Sequence, residues 1–438
     1  MNDLELSVLK PYFEGKRVVI LGFGREGKVW LDILQRLSCC TEIAIADMNE
    51  LSDIEGVTLH CGNDYLEKAK SYDVILQSPG VIIKDKLSPT EKSRILTQAE
   101  LLLRLKPCKI IGVTGTKGKS TTSSLIYHFL CTNGIKAMLI GNIGVPPLER
   151  LEEMTPDTVA VCELSCHQLE FAQHSPDIAV LLNVFPEHLD HYTGFDAYKA
   201  AKENIYLHQN EEDIAIIGAD VDVRPFNGKL ITSSFGGEGD IKTDGGDITL
   251  PSGVIPSETI QTSLKGKHNR YNIAVALEAA LKAGADLLVC LEKLHSFKGL
   301  EHRLEYVATI DGVEYINDSI CTIPEAAIAA VKAFDGADCI IIGGMERNIP
   351  YDKLTDFLNT GAVKNVILLP DTGKRIAAEI TNSEVNCVHV KDLAEAVEKA
   401  HILAEKRVIL CPAAASYGFY KNFEERGKHF KELVNALK

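Results

Sequence analysis

The stretch GTKGKST, residues 115–121, collects residue types that hold a polyphosphate. Gly115 and Gly118 let backbone N–H groups converge on phosphate oxygens, with Thr116 and Lys117 between them; Lys119 is long enough to reach the terminal phosphates, and Ser120, followed by Thr121, offers a hydroxyl to Mg2+. The stretch lies between an apolar run, KIIGV, and a segment whose Leu125, Ile126, Phe129 and Leu130 share one helical face. Strand, loop and helix in that order suit phosphate binding, because a helix N-terminus adds partial positive charge. The strict GxxxxGK[ST] spacing fails at Val113, so a strand-to-helix turn with a chance GKS is the competing reading.

Candidate metal ligands follow two further apolar runs. TVAVCELS delivers Glu163, and IAVLLNVFPEHLDHY delivers Glu187, His188, Asp190 and His191. In open α/β sheets, ligands bind beyond the carboxyl ends of the strands, so these ends and the phosphate loop can converge on a divalent cation. Taken alone, His188 reads as a surface or capping histidine, and HLDH lacks a nearby third soft ligand for zinc. FDAYKAAKENIY sets Tyr198 and Lys202 on one helix face, beside Lys199; by composition these lysines are solvated charges.

Near the start, four apolar residues run into Gly22-x-Gly24-x-x-Gly27, and Asp47 follows at the spacing of a dinucleotide site. Alone this pattern reads as NAD binding. The same turn accommodates the diphosphate of another nucleotide.

The elements that must position these residues are short apolar runs alternating with glycine or polar turns and helical stretches, which predicts an α/β fold with largely parallel sheets. VVILG, EIAIAD and DVILQSPG predict strands of a first unit, and KIIGVTG, KAMLIG, TVAVCELS and IAVLLNV those of a second. VEYIND, CIIIGG, NVILL and VILCPA predict a third, closed by the helix NFEERGKHFKELVNALK. Three units suit 438 residues, with boundaries at 1–106, 107–300 and 301–438. Residues 233–257, rich in glycine, aspartate and serine, are expected to form exposed hairpins or a surface excursion.

Composition narrows the partners. The net charge of -15 disfavours nonspecific nucleic-acid binding, and no apolar run approaches the length of a membrane span. The twelve cysteines are scattered without a CxxC unit and read as reduced, mostly buried thiols. A cytoplasmic protein acting on small molecules is expected, with an acidic surface compatible with a monomer.

An ordered set of motifs then becomes specific: GTKGKST, ELSCHQLE, NVFPEHLDHY with YKAAK, GKHNRYN, GLEHRLE with NDS, and CPAAASYGFYKNFEERG. Across essentially the whole chain this set resembles the Mur ligases, and its last motif resembles their glutamate-adding branch. The resemblance implies three domains: a Rossmann-like UDP-binding domain, a central ATPase-type parallel-sheet domain, and a C-terminal Rossmann-like domain that binds the amino acid. It implies ATP and Mg2+, with the phosphates held from Gly115 to Thr121, and Lys119 catalytic together with His188 and Lys202. Ser120, Glu163, His188 and a carbamylated Lys202 would serve the metal. Asn269, Asn272, Arg303 and Asp318 would complete the ATP site. Gly22, Gly24, Arg25, Glu26, Asp47, Gly80, Asn142 and His188 would hold the UDP-sugar, so that GFGREG binds uridine diphosphate rather than NAD. The implied reaction converts a substrate carboxylate into an acyl phosphate, which the amino group of glutamate attacks, in peptidoglycan precursor synthesis.

For glutamate the resemblance points to Thr322, Arg347, Ser416 and Phe423. Here the chain departs from the branch: Ile320 replaces a lysine, Arg347 stands at a second lysine position, and Gly418 replaces an aspartate. Arginine can still clamp a carboxylate through two hydrogen bonds. D-glutamate is the expected amino acid, with L-glutamate the alternative, since chirality depends on pocket shape. A dehydrogenase accounts only for GFGREG, and a nucleotide-driven switch leaves GKHNRYN, Arg303 and Asp318 without a role.

Overall fold

The computed structural model describes residues 6–83, 86–187, 192–264, 266–334, 337–347 and 349–437. Among these residues, three sheets form, each built mainly of parallel pairs. The first contains β1 Arg17–Leu21, β2 Glu42–Asp47, β3 Thr58–Cys61, β4 Val74–Gln77 and β5 Ile95–Leu96, in the order β3-β2-β1-β4-β5 and parallel throughout. Its first crossover helix is α1, Arg25–Leu37, which opens within the glycine-rich turn.

The second sheet runs from β6 Lys109–Thr114 through β7 Ala137–Gly141, β8 Val159–Glu163, β9 Ile178–Leu181, β10 Ile214–Gly218 and β11 Lys229–Phe235 to β12 Ile241–Thr243, β13 Ile248–Leu250 and β14 Gly253–Ile255. Its order is β14-β13-β12-β11-β10-β9-β6-β8-β7, so β6 lies inside the sheet with a strand on either side. All residues of β6 after Lys109 are buried, as expected of a strand covered on both faces. The helices that matter for the site are α2 Lys119–Thr132, α3 Phe195–Leu207 and α4 Lys267–Lys282. In α2, Leu125, Ile126, Phe129 and Leu130 are fully buried, each contributing roughly 1.5–3 kcal/mol.

The hairpins expected at 233–257 form, but as strands of the sheet rather than as a surface excursion. Their turns fall where glycine and aspartate cluster, while Ile248, Leu250 and Ile255 are buried, and β13 and β14 add antiparallel strands beside β12.

The third sheet comprises β15 Glu305–Ile310, β16 Val313–Asn317, β17 Cys339–Gly344, β18 Asn365–Asp371, β19 Asn386–His389 and β20 Arg407–Leu410, in the order β15-β16-β20-β17-β18-β19. Only β15 runs antiparallel to its neighbour. The closing helix is α5, Phe423–Asn435.

Two compact units contain these sheets. The first is the chain through Thr262 together with Lys267–Phe297; the second is Ser263–Gly266 together with the chain from Lys298 onward. Within the first unit a shared core joins two sheets, with Val18, Ile20, Trp30 and Leu34 in one cluster with Ile110, Ile140 and Leu181. Side-chain amides stitch the same junction: Gln98 Nε2 donates to Glu26 O at 2.9 Å and Leu148 N donates to Gln98 Oε1 at 3.0 Å. Among the described residues, no helix is long and apolar enough to cross a membrane.

Candidate active site

The loop from β6 to α2 turns on two glycines, Gly115 at φ +152° and Gly118 at φ +89°. At Gly118 a Cβ would also stand 2.7 Å from Asn272 Oδ1 on α4, so any side chain there would displace that asparagine. Lys119 opens α2 and folds back over the loop, its Nζ donating to Gly115 O at 2.9 Å and Thr116 O at 3.1 Å.

A second lysine reaches the same point. Lys202 of α3 is 1% exposed, lies over the Tyr198 ring at 4.9 Å, and donates from Nζ to Gly115 O at 2.9 Å. Burial first, and then the charge of Lys119, bring its pKa down from 10.5 to about 7. Burial also lowers the pKa of Lys119, opposed by Glu163 and Glu187.

The segment after β9 fixes the loop from the other side. Thr116 N donates to Asn183 O at 2.9 Å, Lys117 N to Asn183 Oδ1 at 2.9 Å, and Phe185 N to Thr116 Oγ1 at 2.9 Å. Lys117 pairs with Glu187 at 2.6 Å. Asn183 thus buckles the phosphate loop to the next strand end, a role the sequence reading missed although the residue stands where NVFPEH leaves its strand. His188 lies outside the described residues, as do Asp190 and His191.

Glu163 ends β8 fully buried. Its Oε1 accepts from Asn142 Nδ2 at 2.8 Å, while Oε2 is buried with no hydrogen-bond partner among the described residues. A buried carboxylate oxygen left unsatisfied close to a phosphate loop suits a hard divalent cation. Ser120 stands one residue into α2 and is partly exposed, and Thr121 is buried behind it. On α4, Asn272 Nδ2 donates to Asn269 Oδ1 at 3.1 Å. These groups fit a magnesium nucleotide.

In the first sheet, Asp47 braces the glycine-rich turn: Oδ2 accepts from Phe23 N at 2.7 Å and Oδ1 from Asn49 N at 2.8 Å. Ser78 Oγ donates to Gly22 O at 2.7 Å, and Gly24 caps α1. Gly80 follows β4 with open space where a side chain would stand. Arg25 reaches Gly144 O at 2.8 Å, in the same turn as Asn142. Glu26 faces the junction between the two sheets, 8% exposed, with Oε1 accepting from Gln168 Nε2 at 2.8 Å and Oε2 buried without a partner among the described residues. Burial pushes its pKa from 4.5 up to about 7.

The second unit holds the remaining candidates. Asp318, just past β16, is 6% exposed; its Oδ1 accepts from Leu304 N at 3.1 Å and its Oδ2 from the Cys411 thiol at 3.3 Å. Burial raises its pKa to about 6 against the opposing charge of Arg303. Arg303 is partly exposed, with Nε buried and unpartnered among the described residues. Met345 N donates to Ala415 O at 3.0 Å, so the loop bearing exposed Arg347 runs beside buried Ser416. Phe423 opens α5 and its carbonyl accepts from Ser319 Oγ at 2.8 Å; Thr322 is partly exposed three residues beyond Ser319.

This geometry defines an α/β protein with acidic and cationic groups gathered around a glycine-containing loop between a strand and a helix. Residues 113–280 match the Mur ligase middle domain and residues 302–414 the Mur ligase glutamate ligase domain; the chain belongs to the Mur ligase family. It is 32% identical to the UDP-N-acetylmuramoylalanine--D-glutamate ligase of Clostridium kluyveri over 98% of each chain, and 32% identical to that of Acetivibrio thermocellus over 99% of each. Among solved structures it is similar to the MurF ligase of Thermotoga maritima in complex with ADP, with a TM-score of 0.58 and 18% identity over 98% of this chain and 97% of that one. The UDP-N-acetylmuramate-alanine ligase MurC of Thermotoga maritima gives 0.61 at 16% identity over 97% of this chain and 100% of that one. Both structures share the fold.

Proposed function

We propose that this ligase adds D-glutamate to UDP-N-acetylmuramoyl-L-alanine at the expense of ATP, in the cytoplasm, as a step of peptidoglycan precursor synthesis. The observation that carries this reading is similarity along the full length to ligases named for D-glutamate. The phosphate loop supports the chemistry. A carboxylate is a poor electrophile, and taking up the γ-phosphoryl group gives it a good leaving group; Lys119 and the helix N-terminus neutralise charge on the transferring phosphoryl.

In this account the three sheets define three domains, 1–106 for the UDP-sugar, 107–300 for ATP and 301–438 for the amino acid, in a monomer. Glu163, Ser120 and His188 hold Mg2+, which when bound polarises the phosphoryl oxygens. Lys202 carries a carbamate: its buried amine adds to carbon dioxide as the N–C bond forms and a proton leaves, which turns a cation into an oxygen ligand. Asn269, Asn272, Arg303 and Asp318 meet the nucleotide. Arg347, Thr322, Ser416 and Phe423 receive glutamate.

A second reading, L-glutamate as the added amino acid, is favoured by one feature: Ile320 and Arg347 in place of the branch's lysines. The common reaction is tested by incubating the protein with ATP, Mg2+, UDP-N-acetylmuramoyl-L-alanine and racemic glutamate. Equal release of ADP and of a product heavier by one glutamyl residue supports it; ADP without that product refutes it.

A further inference from the structure

All twelve cysteines are free, and seven are buried. Two of the buried ones, far apart in sequence, meet behind the strand ends of the third sheet. Asn317 of β16 pairs with Leu410 of β20, so the residues that follow, Asp318 and Cys411, leave the sheet side by side. The turn after Asp318, closed by Cys321 N donating to Asp318 O at 2.9 Å, folds Cys321 back toward them. The two Sγ atoms and one carboxylate oxygen of Asp318 all lie within 4.8 Å of one another, and Cys411 Sγ is 3.3 Å from Asp318 Oδ2. In a tetrahedral zinc site with Zn–S bonds near 2.3 Å, ligand atoms stand about 3.7 Å apart, so shifts of about 1 Å close this triangle on a metal.

The surroundings supply the charge balance. Arg426 is 2% exposed and, among the described residues, has no carboxylate partner. Among the described residues its guanidinium donates to neutral oxygens only, Ser319 Oγ, Ser319 O and Ala414 O. A buried cation without a counter-charge is costly. Cys321, Tyr420 and Cys411 are the neighbours that would favour its charged form if they ionised, and the two cysteines are the ones that a metal would ionise. Two thiolates and a carboxylate around a divalent cation leave one net negative charge, which matches that guanidinium.

We propose that Asp318, Cys321 and Cys411 form a binding site for a soft divalent cation, Zn2+ or Cd2+, separate from the hard magnesium chemistry of the phosphate loop. Each thiol loses its proton to solvent as its sulfur–metal bond forms, and a water completes four-coordination. The cation engages one carboxylate oxygen of Asp318 while Oδ1 keeps its hydrogen bond from Leu304 N, making the site an inhibitory one if Asp318 also meets nucleotide.

The test uses the reduced, chelator-treated full chain titrated with Cd2+, read by the ultraviolet thiolate-to-cadmium charge-transfer absorption, and with Zn2+ against a chromogenic chelator. The wild type is expected to bind about one equivalent of either metal, and C321A and C411A each to weaken binding by at least about a hundredfold. C131A, which alters an exposed thiol elsewhere, serves as the unaffected control. A cooperative melt of C321A shows that the fold survives, and that variant alone then decides the matter. Absence of the band from the wild type, or its persistence in C321A, overturns the proposal. The readout is the metal itself, so the result is independent of whether Asp318 contacts ATP.

Discussion

Lys119 and Lys202 donate to the same oxygen, the carbonyl of Gly115, each at 2.9 Å. Burial lowers the pKa of both lysines, and for Lys202 the charge of Lys119 lowers it further. An arrangement of this kind persists where anionic oxygens arrive, which is what a triphosphate and a carbamate would bring.

Replacing Lys119 by alanine removes the cation proposed to reach the terminal phosphates. Turnover is expected to fall by about 100- to 1000-fold while the melting temperature barely changes. Initial-rate measurement of ADP release beside thermal melting checks both; full turnover in K119A contradicts the role.

Lys202→Ala is expected to be inactive and to recover part of its activity with a short-chain carboxylic acid, which restores an oxygen ligand in the space left by the side chain. The unmodified protein should gain one carbon dioxide in intact-mass analysis with bicarbonate. Failure of rescue together with an unchanged mass would leave Lys202 an ordinary buried lysine.

For Glu163 the decisive atom is Oε2, unpartnered among the described residues. Glu163→Gln keeps its one oxygen as an acceptor for Asn142 Nδ2 and so puts an uncharged N–H donor where a cation needs a carboxylate oxygen. The Mg2+ concentration for half-maximal rate is expected to rise about 10- to 100-fold. An unchanged magnesium titration removes Glu163 from the metal site.

Glu26 gives a pH signature. Its folded pKa of about 7 lies above the ordinary 4.5, so its stabilising contribution is complete below 4.5 and lost as pH rises through about 7. Glu26→Gln cannot ionise. Relative to wild type, the variant should gain of order 2 kcal/mol in unfolding free energy between about pH 5 and about pH 8. Denaturant unfolding at both pH values reads this directly, and a difference independent of pH counts against a buried carboxyl.

The phosphate loop was legible in the sequence because its chemistry is local: two glycines, a lysine and a hydroxyl within seven residues, placed between a strand and a helix. The central strands were legible as well, being apolar along their length. β3, β5, β10, β11, β15 and β19 were missed; β5 is only two residues long, β3 and β19 are short and largely uncovered, and β11 mixes polar with apolar residues. β10, by contrast, is an apolar run that length and burial set among the readable strands. Contacts made across the fold left no trace in spacing. Lys202 meets Gly115 across 87 positions and Gln168 meets Glu26 across 142, and neither can be read without the sheets that bring them together. The cysteines looked scattered for the same reason: Cys321 and Cys411 become neighbours only because β16 pairs with β20.

The most direct test of the central claim is ADP release with ATP, Mg2+ and UDP-N-acetylmuramoyl-L-alanine, comparing D-glutamate with L-glutamate. Turnover is expected with D-glutamate alone, with Arg347 acting as the carboxylate clamp in place of lysine. Turnover with L-glutamate alone, or with neither, contradicts it.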